Sequence, residues 1–160
     1  MSAYPNGHDM LRTLAVLIVA VALGAGCGGG GGNNPAAPPG PPAGSIAEAE
    51  PNDVVPQALG SIDSTGRLVA GTASGQNDVD LYSVSLPASG NVFMSLSWSG
   101  TQDLEVGVTD VNGVVIRNQD TPTANPEECT VTGRAAGTYI VRVGSRSGSA
   151  VSYLLTIADR

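Results

Sequence analysis

From Ser45 onward, apolar and polar residues alternate in short runs separated by Gly, Asn, Asp and Pro. Tyr82, Val84 and Leu86 alternate with Ser83 and Ser85. Val92, Met94, Leu96 and Trp98 alternate with Ser95 and Ser97, and Leu104, Val106 and Val108 with Asp103, Glu105 and Gly107. Tyr139, Val141 and Val143 alternate with Arg142, and Tyr153, Leu155 and Ile157 close the pattern. A period of two marks strands with one buried and one wet face. Asn112-Gly113 between apolar runs signals a hairpin, because both residues tolerate positive φ. Pro87-Ala88-Ser89-Gly90 and Ala135-Ala136-Gly137 punctuate further joints, and no stretch carries a 3.6-residue stripe. The spacing predicts an all-β, antiparallel, jelly-roll-like sandwich of about eight short strands.

Upstream the pattern changes. Leu14 to Leu23 is an unbroken apolar run, followed by Gly24-Ala25-Gly26-Cys27. The run is too short for a membrane-spanning helix, which needs about 20 apolar residues, and has the length of a signal-peptide core. The segment ending at Cys27 resembles a bacterial lipoprotein signal, although Gly24 stands where such signals most often carry Leu. Asp9 cancels Arg12 in the leading segment, so translation is expected to start at Met10, which restores the positive charge. The competing reading is an ordinary secretion signal cleaved after Ala25 or Gly26. Residues 28–44 contain only Gly, Asn, Pro and Ala, too little apolar surface to offset their ordering entropy. The chain therefore divides into a lipoprotein signal (1–26), a lipidated Cys27 with a flexible Gly/Pro-rich tether (27–44), and a sandwich domain (45–160). Membrane attachment through lipid on Cys27 follows. Gly28, in place of an Asp after the Cys, directs the expectation to the outer membrane or cell surface of a bacterial envelope.

Composition narrows the chemistry. Among 160 residues there is no Lys and one His, His8, and the net charge is -7. That sign disfavours nucleic acid and suits divalent cations or basic surfaces. A mature chain without His or Lys loses the Ser-His, Cys-His and Ser-Lys pairs and His-ligated zinc. Cys129, in phase with Val131, reads as a small buried hydrophobe with no disulfide partner. Asp103 and Glu105 share one strand face and are the best carboxylate pair for a hydrolase. Without a third group or an aromatic platform beside them, they read as the wet face of the strand, and no catalytic residue is assigned.

The order of short motifs is recognisable. Glu50-Pro51-Asn52-Asp53 opens the domain, Asp78-Val79-Asp80-Leu81-Tyr82-Ser83-Val84 and Gln102-Asp103-Leu104-Glu105-Val106 begin strands, and Asp110-Val111-Asn112-Gly113 makes a turn. Gly137-Thr138-Tyr139-Ile140-Val141-Arg142-Val143 and Tyr153-Leu154-Leu155-Thr156-Ile157 complete it. From Ala47 to Ala158 the chain resembles the bacterial pre-peptidase C-terminal domain, a β-sandwich appended to many secreted proteases, here without a catalytic domain. That family is similar to the collagen-binding modules of bacterial collagenases, which bind calcium where an acidic N-terminal segment meets a loop. The resemblance implies Glu48, Glu50, Asn52, Asp53 and Asp80 as side-chain ligands for Ca²⁺, with Asn77 or Asp78 adding another and Thr72 or Leu81 a backbone carbonyl. The residue types agree: Glu48, Glu50 and Asn52 alternate along an extended segment, and Asn77, Asp78 and Asp80 crowd a Gly-rich loop, Gly71-Thr72-Ala73-Ser74-Gly75. The alternative is a solvated turn and loop. The function expected is a lipid-anchored, calcium-stabilised, non-catalytic module holding an extracellular polysaccharide or protein. Phe93, on the outer strand face, and Trp98 are candidate contact residues. An accessory domain that assists secretion or localisation of a protease is the alternative, and a carboxylate hydrolase stands behind both.

Overall fold

The computed structural model describes residues 40–121, 124–146 and 148–160. The signal segment, Cys27 and the tether up to residue 39 lie outside them. Ten strands follow in order: β1 Ile46–Ala47, β2 Gln57–Ser61, β3 Arg67–Ala73, β4 Val79–Leu86, β5 Gly90–Trp98, β6 Leu104–Asp110, β7 Val115–Gln119, β8 Glu127–Arg134, β9 Gly137–Ser145 and β10 Val151–Ala158. They form two five-stranded sheets, β1-β3-β10-β5-β8 and β2-β4-β9-β6-β7. Eight of these strands, β3 to β10, divide between the sheets in the 3-10-5-8 and 4-9-6-7 orders of a jelly roll. All pairings among those eight are antiparallel. The two additions at the edges are parallel, β1 on β3 and β2 on β4, so both sheets are mixed.

The alternation read from the sequence is the burial pattern of the strands. Tyr82, Val84 and Leu86 of β4 point inward, as do Val92, Met94 and Leu96 of β5 and Tyr153, Leu155 and Ile157 of β10. Leu155 lies between Leu96 and Val69 in adjacent strands, and Tyr82 is opposite Val141, so each inward row packs against the next. Asp80 keeps the phase of Tyr82 and is therefore carried inward at the start of β4, only 1% exposed. Cys129 of β8 is buried opposite Met94.

The Gly71–Gly75 run is not the loop expected. Gly71, Thr72 and Ala73 belong to β3, and the turn begins at Ser74. Gly71 is strand because it pairs directly with Tyr153, whose ring lies across the space a side chain would fill. The Asn112-Gly113 turn joins β6 to β7 with Gly113 at φ 79°, and Asp110 accepts the backbone N–H groups of Asn112 and Val114.

Every core side chain lies within the compact unit Pro38–Arg160. That segment carries its own hydrophobic interior, the property that allows a domain to fold alone.

Candidate metal centre

At one end of the sandwich the segment after β1 meets the β3–β4 loop and the start of β4. Glu50, Asp53, Asp78 and Asp80 each present a carboxylate oxygen there, and the four oxygens lie within 4.8 Å of one another. Glu50 and Asp53 are exposed, Asp78 is half-buried and Asp80 is buried. Three local features set this geometry. Asn52 is buried and its carbonyl accepts the Leu81 N–H, so the segment is clipped to β4. Glu50 Oε2 accepts the Asn52 N–H at 2.9 Å, turning the chain so that Glu50 and Asp53 face Asp80. Across the loop, Asp78 accepts the Ser74 N–H, and Asn77 takes a positive φ of 70°, the conformation that Asn tolerates best after Gly.

The seven side chains proposed from the sequence thus separate into a converging set of four, two that stand behind it and one exposed outside it. Four converge as above. Glu48 sits behind them: its Oε2 accepts the Thr72 N–H at 2.7 Å, and its Oε1 faces Asn52 Nδ2 and the hydroxyls of Tyr82 and Tyr153, each at 3.2 Å. Asn52 stands beside it, wholly buried. Asn77 is exposed, and its N–H is bonded to the Ser145 carbonyl. The alternation expected of an extended segment does not place Glu48, Glu50 and Asn52 on one side, because the chain bends at Glu50 instead of continuing β1.

Sequence reasoning missed the tyrosine pair beneath the cluster. Tyr82 of β4 and Tyr153 of β10 bring their hydroxyls to 2.5 Å of each other between the sheets, and Tyr153 donates to Asp80 Oδ2 at 2.7 Å. Burial raises both phenols well above their ordinary range, and the nearby carboxylates add to it, so both remain neutral donors. A signal was present: two tyrosines in core phase carry hydroxyls that need buried partners.

The electrostatics are unbalanced. Burial, with hydrogen bonding to and charge from Glu48 and the charge of Asp78, pushes Asp80 up to about 8. Asp80 Oδ1 and Asn52 Oδ1 are both buried without a hydrogen-bond partner, and among the described residues no arginine pairs with any of the four acids. Orphaned buried oxygens and uncompensated carboxylates are costly, and a cation satisfies both. The donor set contains oxygen alone, which suits a hard divalent ion and not a thiolate- or imidazole-seeking one. The cluster can hold a metal ion.

Glu105 is corrected from a wet face, and Asp103 precedes β6 and does not share a strand with it. Glu105 is buried on the outer side of its sheet, its side chain 4% exposed, under Arg142 and Arg146, with Arg146 Nη2 2.6 Å from Oε2. Burial pushes its carboxyl up, but hydrogen bonds and charge from Arg142 and Arg146 outweigh this and hold it below the usual range. The stability it contributes is present above the ordinary Glu pKa and is lost as pH falls through the depressed one. Glu105→Gln should cost about 1–2 kcal/mol at pH 7 and flatten the acid limb below about pH 4. Urea unfolding at pH 7 and pH 3 checks both, and equal losses at the two pH values would contradict the assignment.

The two contact candidates lie apart. Phe93 is half-buried on the outer face of β5, with the Arg160 guanidinium 4.0 Å from its ring centroid. Trp98 packs against the rim of the core and donates Nε1–H to the Gln102 carbonyl at 2.7 Å. It borders a groove of about 530 Å³ beside β3, β5 and β10 whose lining, from Pro41 and Pro42 to Thr72 and Ser152, is uncharged.

Fold and corner together define a jelly-roll sandwich module with an all-oxygen acidic site at one end. Residues 78–145, spanning β4 to β9, match the family model of the bacterial pre-peptidase C-terminal domain, the family recognised in the motifs. Among solved structures, the pre-peptidase C-terminal domain of a collagenase from Bacillus anthracis shares the fold. Its TM-score is 0.53 at 13% identity, covering 71% of this chain and 95% of that one. The Yersinia pseudotuberculosis-derived mitogen aligns at TM-score 0.47 and 14% identity, over 58% of this chain and 84% of its own. Aeromonas hydrophila PliG, a periplasmic inhibitor of g-type lysozyme, aligns at 0.44 and 17%, over 65% and 96%. No curated protein matches the chain.

Proposed function

We propose that this protein is a non-catalytic binding module of the bacterial cell envelope, stabilised by Ca²⁺ and attached to the membrane through lipid on Cys27, where it holds an extracellular polymer or protein. One observation carries the calcium reading. Four carboxylates share a space of 4.8 Å while buried oxygens of Asp80 and Asn52 have no partner. Glu50, Asp53, Asp78 and Asp80 would hold the ion, which supplies charge compensation and cross-links the N-terminal segment to β4. Glu48 and the two tyrosines position Asp80 from behind. The non-catalytic reading is supported by Glu105, whose two oxygens are held by arginines and which is kept ionised. The lipid anchor rests on the Gly24-Ala25-Gly26-Cys27 segment and the Gly/Pro tether after it.

Thermal unfolding of residues 38–160 in EDTA and then in millimolar Ca²⁺ tests the site. A ligand that binds the native state alone adds about 2.7 kcal/mol at a hundredfold excess over its Kd, which is about 10 °C in midpoint for a domain of this size. Mg²⁺, which demands a tighter octahedron, should raise it less. An unchanged midpoint in Ca²⁺ would remove the calcium reading.

A further inference from the structure

The groove beside Trp98 is floored by the outer face of three strands. Ala70, Leu154 and Ser97 stand side by side across β3, β10 and β5, and Thr72 is opposite Ser152 in the next row. All five face outward, because Gly71, Tyr153 and Leu96, their neighbours along the strands, are buried. Pro41, Pro42, Trp98 and Ser99 contribute further lining. The volume of about 530 Å³ is that of a small-ligand site. No acid or base takes part in the lining, in a chain of net charge -7.

We propose that this groove binds a neutral polysaccharide, two or more sugar rings lying across β3, β10 and β5. The proposal names the partner class of the non-catalytic binding module above and rests on that reading. It is independent of the calcium reading. Three observations select the occupant. An uncharged lining gives a charged polymer no counterpart, and the net charge repels an acidic one. An extended peptide cannot add as a strand, because β3, β10 and β5 each already have a strand on both sides. Recognition is therefore left to side chains. Those of Thr72, Ser97, Ser99 and Ser152 are hydroxyls, each able to donate and to accept, set beside apolar Leu154, the two prolines and the tryptophan. A sugar ring has the same division, with hydroxyls around its rim and C–H groups on its faces.

Trp98 is the only tryptophan of the chain and borders the groove, so its fluorescence reports occupancy directly. The full chain is titrated with neutral hexasaccharides of glucose, mannose and N-acetylglucosamine, with polygalacturonate, and with a proline- and glycine-rich peptide. The expected result is a saturable change with at least one neutral hexasaccharide, unaffected by added salt, and none with polygalacturonate. Thr72→Val/Ser152→Ala, which removes two exposed hydroxyls and no core contact, should weaken that binding about tenfold with an unchanged thermal midpoint. No saturable response to any neutral sugar overturns the proposal, as does sugar binding that ignores the double substitution. A response to the peptide alone also overturns it, while leaving the binding-module reading standing with a protein as the partner. Shortened sugars recovered after the titration would instead remove the non-catalytic reading, and the proposal with it.

Discussion

In EDTA at pH 8, Asp80→Asn is more stable than the wild-type domain, and Ca²⁺ no longer stabilises it. Both effects come from one carboxyl. Asp80 is 1% exposed, its Oδ1 has no partner, and its environment raises it from the ordinary Asp value to about 8. A raised carboxyl means that folding favours the protonated form. The metal-free domain therefore has its full stability below about pH 4, where the group is protonated in both states, and loses it progressively as pH rises towards 8. An uncompensated buried charge of this kind costs about 3–5 kcal/mol. Asn keeps the shape, still accepts from the Tyr153 hydroxyl, and has no charge to bury, so its stability is flat over that range. Proton and cation compete for the same oxygens, so the apparent Ca²⁺ affinity of the wild type falls about tenfold per pH unit below 8. Midpoints from pH 5 to 9, in EDTA and in Ca²⁺, should give a wild-type pair of curves that diverge as pH rises. The variant should give two that coincide. A variant less stable than wild type in EDTA at pH 8 would show that Asp80 is compensated in the metal-free protein.

The inward position of Asp80 could be read from the sequence, because extending the phase of Tyr82, Val84 and Leu86 back by one step reaches it. The same local logic gave β4, β5, β6, β9 and β10, since each carries three or more apolar residues in phase, but not β3 or β7. It did not give β2, where Leu59 is the only buried residue in Gln57–Ser61, nor the parallel pairing of both edge strands, which depends on where the chain returns. Glu105 was misread for a related reason. Its phase is outward, as expected, but the outer face there is roofed by Arg142 on β9 and Arg146 after it, 37 and 41 residues away. Glu48 has the same character: it turns from the cluster towards hydroxyls on strands 34 and 105 residues away. Alternation reports which face a residue takes. It does not report what the rest of the chain lays upon that face.

Gly71→Ala should be among the most damaging single-methyl changes in the domain and should weaken the metal response as well. A Cβ at position 71 would stand 2.5 Å from both Cζ and Oη of Tyr153 and 2.9 Å from Cε2. The ring has little freedom to withdraw. Tyr153 is 2% exposed, and its hydroxyl is fixed by Tyr82 at 2.5 Å and Asp80 at 2.7 Å. Overpacking costs about 1–3 kcal/mol, and displacing a donor from a buried carboxylate adds about 1–3 more. The expected loss is about 3 kcal/mol in urea unfolding, with a smaller Ca²⁺-dependent rise in midpoint because Asp80 loses its positioning partner. Tyr153→Phe alone should cost about 1–2 kcal/mol, since it removes the hydroxyl but keeps the ring. In the double variant the absent oxygen makes room for part of the new methyl, so the two penalties should sum to more than the measured loss by about 1 kcal/mol. Additive penalties would mean that β3 shifts as a unit to accept the methyl, and that the glycine serves the strand and not the tyrosine above it.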